Sequence, residues 1–365
     1  MKTILIAHNY SENSFATMSY YLANHLADTG NKVIFISHHP YFSEKQIIKK
    51  EKGELIIYSW PTQKRPTSVK DVIWFAKIYL KYKPEIIIAH FVGSNITISL
   101  SKILSLGKAK TFEYYHTLRN QIIEDVSKET WKQSFFFNRK KIFYKLFCDV
   151  IICPSELANK DLKLFFGIKK GLVILNPMMD RFERKISISD DSIVISYLGR
   201  LDPSKGLIDL ISAFEAYKKK TTNSKLILNI AGIGRQELEI IELVKNNDSI
   251  HFVGGLSYDK IDAYLNKSHF TIIPSKFDNL PTVGLESMMN KTPLLISNTT
   301  GLTDYLVDGK ECYKFDATID SMILLFERVE NNFQHCEQMG IEARATFLDK
   351  FSMAEYCNSV SELIL

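Results

Sequence analysis

The sequence predicts an α/β protein built as two doubly wound parallel sheets, and three observations predict it. Short apolar runs alternate with longer helical patterns from one end of the 365-residue chain to the other. The runs are continuously apolar rather than alternating. That marks strands buried on both faces, which belong to parallel sheets with helices on each side. The alternation breaks once, in the turn-rich segment "NPMMDRFERKISISDD", and then starts afresh. Two series of similar length imply two Rossmann-like domains, expected at residues 1–185 and 186–350. Residues 351–365 are expected to form a C-terminal helix packing back towards the first domain.

In the first series "KTILIAH" reads as the opening strand, and "FATMSYYLANHLADTG" as an amphipathic helix closed by Gly30. Strands follow at "KVIFIS", "ELIIYSW", "EIIIAHF", "KTFEYYH" and "DVIICPS", several with polar residues at their C-terminal ends. The second series runs through "SIVISYLGR", "KLILNIAG", "SIHFVGG", "HFTIIPS" and "TPLLIS". Ligands of such sheets bind beyond the C-terminal strand ends, where the strand order reverses. A two-domain version is expected to hold its ligand in a deep cleft between the sheets. The residues just after each strand are therefore the ones to read.

The composition, 45% hydrophobic and 24% charged, is ordinary for a globular protein. The N-terminal "MKTILIAHNY" has too short an apolar run for a signal peptide, and no stretch is long enough to span a membrane. Five scattered cysteines without a C-x-x-C fit reduced thiols in a cytoplasm and no zinc cluster. The net charge of +5 conceals an asymmetry. Residues 1–185 carry 29 basic and 16 acidic side chains, a net of +13, and residues 186–365 carry 17 and 25, a net of −8. A basic half joined to an acidic half suggests domains that face different partners, although uneven drift of surface charge gives the same count.

Two stretches carry the chemistry. In "YLGRLDPSKGLIDLISAF", Gly199 permits a tight turn, and Arg200 and Lys205 straddle a bend that leads into a helix. Two cations beside a helix N-terminus suit a phosphate; a solvated loop is the alternative reading of this motif alone. In "PSKFDNLPTVGLES", Asp278 sits in a loop and Glu286 one turn inside a helix that opens near Pro281. The amide groups of Thr282 and Val283 then point outward at an anion, and the two carboxylates suit hydroxyl groups. A nucleotide sugar has that layout, with a pyrophosphate flanked by sugar and ribose hydroxyls. Taken singly, each acid also reads as an ordinary surface or helix-terminal residue.

Together "GRLDPSKG", "IAGIG", "HFVGGLS" and "PSKFDNLPTVGLESMMNKTPLL" resemble the nucleotide-sugar half of the GT-B retaining glycosyltransferases of family GT4. The two-acid element resembles that family's E-x7-E motif with Asp278 in the first position. The resemblance implies a donor site made of Gly199, Arg200, Lys205, Gly232, Gly254, Asp278, Asn279, Leu280, Pro281, Thr282 and Glu286. Arg200 and Lys205 would hold the diphosphate, Asp278 would meet the transferred sugar, and Glu286 the ribose. His116, after "TFEYYH", matches a histidine beside the donor sugar, and His90 lies on the acceptor side. Ser14 and Phe15 occupy the approximate place of a Gly-Gly loop that this chain lacks. The implied reaction is retaining transfer, by front-face attack, from a UDP-sugar ahead of a GDP-sugar. The acceptor would be a saccharide or lipid-linked saccharide of envelope polysaccharide or glycolipid synthesis. No metal or other cofactor is expected, because cations and helix termini would neutralise the leaving group. Two rivals are a same-fold nucleotide-sugar 2-epimerase and a non-catalytic binding subunit; the first lacks identifiable acid–base residues, and retention of all four charged groups argues against the second.

The stretch "WKQSFFFNRKKIFYKLF" mixes aromatic residues with Arg139, Lys140, Lys141 and two further lysines, and contains no acid. It reads either as a core helix with a basic solvent face or as a contact for an anionic membrane surface. No RNA- or DNA-binding motif accompanies the charges, so nucleic acid is not an expected partner. A cytoplasmic protein, peripheral on the inner face of the membrane, is the expected localisation.

Overall fold

A computed structural model describes residues 1–9, 17–38, 42, 45–62, 66–91, 94–126, 130–186, 188–189 and 191–365. The chain divides into two compact units, each with its own sheet and core. Unit 1 comprises residues 1–116, 129–177 and 353–365, and unit 2 comprises 117–128 and 178–352. The chain thus passes into unit 2 at Met178, ahead of the 185/186 boundary expected from the break in the strand-helix alternation, and returns to unit 1 at Met353.

The strands of unit 1 are β1 (Thr3–Ala7), β2 (Lys32–Ser37), β3 (Gln46–Lys49), β4 (Glu54–Ser59), β5 (Ile86–Ala89), β6 (Lys110–Tyr114), β7 (Val150–Cys153) and β8 (Gly171–Val173). They form one sheet in the order β3-β4-β2-β1-β5-β6-β7-β8. Among the described residues β3 and β4 pair antiparallel and the other strand pairs of this sheet are parallel. The strands of unit 2 are β9 (Ile193–Leu198), β10 (Leu226–Ala231), β11 (Ile250–Gly254), β12 (Phe270–Ile273), β13 (Leu294–Ser297) and β14 (Cys312–Phe315). Their order is β11-β10-β9-β12-β13-β14, all parallel.

The first six helices are α1 (Thr17–Asp28), α2 (Val69–Tyr82), α3 (Ser94–Leu104), α4 (Arg119–Val126), α5 (Trp131–Phe147) and α6 (Glu156–Phe166). Of these, α4 belongs to unit 2. The remainder are α7 (Leu207–Lys220), α8 (Glu237–Val244), α9 (Tyr258–Asn266), α10 (Thr282–Met289), α11 (Ile319–Asn331), α12 (Cys336–Lys350) and α13 (Met353–Ile364). Local chemistry sets several ends. Ser68 and Asp71 form a capping box on α2, and Thr130 and Gln133 form one on α5. Gly167 closes α6 in the left-handed conformation.

The core of unit 1 joins Ile4, Ile6, Val33, Phe35 and Phe112 from the sheet to Met18, Leu22 and Leu26 of α1. The C-terminal α13 completes it, burying Met353, Tyr356, Cys357, Val360 and Ile364. Each such side chain contributes about 1.5–3 kcal/mol of burial free energy, enough to hold the chain end in this unit. Unit 2 packs Ile195, Leu228, Ile230 and Phe270 against Leu210 and Phe214 of α7 and Phe326 of α11.

In both sheets the strand order reverses next to the first strand: between β1 and β5 in unit 1, and between β9 and β12 in unit 2. A crevice opens at such a point because successive crossovers leave in opposite directions.

Candidate active site

In unit 2 the reversal between β9 and β12 brings the two charged stretches together. After β9 the chain runs through Gly199, Arg200 and Asp202 into a single 3-10 turn, Pro203–Lys205, before α7. After β12 it runs through Asp278 and Asn279 to Pro281, which caps α10. Backbone hydrogen bonds tie the two loops, the amide of Lys276 donating to the Ser204 carbonyl at 2.8 Å. Gly206 makes this approach feasible. Its φ is +70°, and a Cβ there would lie 2.2 Å from the Pro274 carbonyl oxygen. Gly232, at the end of β10, does the same for the Gly199 loop, since a Cβ would lie 1.9 Å from the Gly199 oxygen.

The ammonium of Lys205 donates to Asp278 Oδ2, and both side chains are largely enclosed. Asp278 also accepts from the Ser275 hydroxyl at 3.4 Å, and its carbonyl accepts from the Gly301 amide at 3.1 Å. Arg200 is more open. It pairs with Asp202 and, at 3.4 Å, with Asp125 on α4, whose other oxygen accepts the Ser204 amide at 3.2 Å. Arg235 holds the second oxygen of Asp202 at 2.9 Å. No side chain caps α10, so the amides of Thr282 and Val283 lack intrahelical acceptors and form the positive end of the helix. Asn279, Leu280 and Pro281 are buried in the preceding loop, and Gly254 ends β11 at φ +82°. Cations, outward amides and a loop carboxylate therefore meet at one strand-order reversal.

Glu286 lies one turn inside α10 and is almost wholly buried. Burial pushes its carboxyl up to about 7; Arg181 pulls it down and Asp262 pushes it further up. Arg181 Nη2 is 3.8 Å from Glu286, but the guanidinium is committed to Asp262 through bonds of 2.9 and 3.1 Å and lies over the Tyr258 ring. Arg181, Asp262 and Asp125 are site residues that the sequence reading did not single out. Asp125 is 75 positions from Arg200, and no local spacing announces it.

The other expected residues lie in unit 1. His90, after β5, is fully buried and stacked between His8 at 4.3 Å and Tyr114 at 3.8 Å. Its Nδ1 is 3.2 Å from Nε2 of His116, and its Nε2 is 3.2 Å from the Ser19 hydroxyl, which also bonds His8 Nδ1 at 2.6 Å. Burial holds all three imidazoles well below their usual range, with His8 down to about 3, so each is neutral near pH 7. His90 is thus an internal support for His116, which itself stacks on Phe91 at 4.1 Å. His8 and Ser19 were missed; the only hint was a histidine directly after the first strand. Ser14 and Phe15 lie outside the described residues.

The basic-aromatic stretch is α5. Its three named cations part company: Arg139 is exposed and Lys141 half-buried, but the Lys140 ammonium lies 5.0 Å over the Tyr115 ring and 5.5 Å over Tyr144. Burial lowers the Lys140 pKa, opposed by the charges of Glu113 and Asp161. Lys140, half-buried like Lys141, therefore leans on the aromatic rings of unit 1, whereas Arg139 faces solvent. Among the described residues no helix is long and apolar enough to cross a membrane, and no group of three or more His, Cys, Asp or Glu side chains is placed to hold a metal.

Comparison with known proteins bears on the family and the fold. Residues 178–346 match the model for glycosyl transferases group 1, and residues 16–178 match that for Glycosyltransferase Family 4. An uncharacterized glycosyltransferase of Methanocaldococcus jannaschii is 26% identical over 269 residues, 69% of this chain and 64% of its own length. The capsular polysaccharide biosynthesis glycosyltransferase CapM of Staphylococcus aureus is 27% identical over 211 residues, 55% of this chain and 54% of its own. The matched stretch thus covers less than two thirds of these relatives. Among solved structures, sucrose-phosphate synthase of Thermosynechococcus elongatus superposes with a TM-score of 0.77 at 14% identity, covering 100% of this chain and 98% of that one. Anabaena HepE, solved in complex with UDP-glucose, gives 0.70 at 12% identity, covering 100% and 99%. With the two family models together spanning residues 16–346, the chain belongs to the group 1, family 4 glycosyltransferases and has their GT-B fold.

Proposed function

We propose that this chain is a retaining glycosyltransferase that moves a sugar from a nucleoside diphosphate donor, a UDP-sugar first, to a saccharide or lipid-linked saccharide acceptor. The observation that carries the reading is the Lys205–Asp278 pair beside the uncapped N-terminus of α10, at the reversal between β9 and β12. A diphosphate entering there takes Asp278's place as partner of Lys205 and draws on Arg200, trading a carboxylate for the oxygens on which charge develops as the glycosidic bond breaks. Preorganised donors of this kind lower the barrier without metal chemistry; each contributes about a hundredfold or more to turnover. The amides of Thr282 and Val283 add the dipole of α10. Released from Lys205, Asp278 accepts from a hydroxyl of the transferred sugar, and ionised Glu286 accepts from the ribose. The departing phosphate oxygen takes the acceptor proton on the face it leaves, so configuration is kept and no protein nucleophile forms a bond.

HepE, solved with UDP-glucose, and CapM, named for capsular polysaccharide biosynthesis, favour a UDP-sugar and a polysaccharide acceptor. Calorimetric titration with UDP, GDP and ADP tests the donor reading. UDP should bind the wild type and bind Lys205→Ala far more weakly. Absence of binding by every nucleoside diphosphate contradicts the reading.

A further inference from the structure

The solvent face of α5 is apolar. Trp131, Phe135, Ile142 and Leu146 are 77, 67, 57 and 67% exposed. At 3.6 residues per turn these positions fall within an arc of about 60°, and the buried Phe137 and Tyr144 lie on the opposite side. The helix is therefore bound to unit 1 by one face and presents a second apolar stripe outward. A folded domain has no use for such a stripe in water. Exposed Arg139 and Lys132 flank it on one side and exposed Lys145 on the other, and no acid occurs between Trp131 and Phe147. Ile103 of α3, 57% exposed, extends the stripe, lining one surface hollow with Lys145 and Leu146.

An apolar stripe between rows of cations is complementary to one kind of surface, with an oily interior beneath anionic headgroups. A second copy of this helix would bring cations against cations. We propose that α5 docks unit 1 on an anionic lipid bilayer, with Trp131, Phe135, Ile142 and Leu146 in the acyl boundary and Lys132, Arg139 and Lys145 among the headgroups. This inference is independent of the donor site, since every residue in it belongs to unit 1.

The test is sedimentation of the full chain with vesicles of phosphatidylcholine, with and without about a third of phosphatidylglycerol. Binding should need the anionic lipid and weaken with salt. Each cation near the surface contributes about fivefold, so replacing Lys132, Arg139 and Lys145 together by Gln should lower partitioning about a hundredfold. Trp131→Ser with Phe135→Ser should abolish it while the circular dichroism stays that of the wild type, because both side chains point into solvent. Lys140→Gln should partition like the wild type. The wild type's fluorescence should shift to the blue on anionic vesicles, and Trp131→Phe should lose that shift while still sedimenting. Equal binding to neutral vesicles, no binding at all, or a concentration-dependent dimer abolished by the serine variant would each overturn the proposal.

Discussion

Glu286→Gln separates the cost of a buried carboxylate from its use. Glu286 is enclosed by α10, and its nearest cation, Arg181, is already bonded twice to Asp262. Its pKa moves from 4.5 to about 7, chiefly through burial. At 1.36 kcal/mol per unit, the ionised form costs about 3 kcal/mol of folding free energy. The folded pKa lies above the unfolded one, so between pH 4.5 and about 7 the native state binds the extra proton. Stability contributed by this group is present below that window and lost as pH rises through it. The neutral histidines of unit 1 have folded pKa values below the unfolded ones and act in the opposite sense, so the quantity to measure is wild type minus variant. Urea unfolding of both proteins across the window should show Glu286→Gln gaining up to about 3 kcal/mol on the wild type towards alkaline pH. Nucleotide affinity should move the other way, strengthening in the wild type as Glu286 ionises and staying weak in the variant. The nucleotide's own phosphate titrates equally with both proteins and cancels. A stability difference independent of pH would refute the buried-carboxyl argument, and equal nucleotide affinity would refute the ribose role.

The two cations should differ in degree. Lys205→Ala should lower turnover by about a hundredfold to a thousandfold, and Arg200→Ala, whose side chain is half exposed, should fall at the low end; wild-type turnover in either removes the diphosphate assignment. Gly232→Ala should cost about 2–4 kcal/mol in urea unfolding, because φ is +152° and the new Cβ meets backbone rather than a side chain that can turn away; a loss below about 1 kcal/mol would mean the two loops yield freely. Transfer activity should persist in EDTA, and loss restored by Mn2+ or Mg2+ would contradict charge neutralisation by Arg200, Lys205 and the N-terminus of α10.

Much of the sheet architecture was legible because its strands are buried on both faces. "VIFIS" and "EIIIA" leave no polar alternation to confuse with a surface strand. The short edge strands β3, β8 and β14 were not, since "QIIK", "GLV" and "CYKF" are too brief to carry a pattern. The convergence of the two charged loops was legible because each lies within one strand-turn-helix unit, where spacing in the chain is spacing in space. Asp125 and Arg181 reach the site from distant segments, so only the fold reveals them. Composition marked α5 as basic and aromatic but could not say which residues face which way. The helical phase does so, laying Lys140 against Tyr115 and Tyr144 and turning Trp131 and Phe135 out.

The most direct test of the central claim is transfer itself. Purified protein, incubated with a panel of UDP- and GDP-sugars and a saccharide or lipid-linked acceptor extract, should yield a product heavier by one sugar residue. Nuclear magnetic resonance should show the donor's anomeric configuration kept, and Lys205→Ala should give little product. Release of the nucleotide with an inverted product would contradict the front-face mechanism, and no transfer from any nucleotide sugar would contradict the account as a whole.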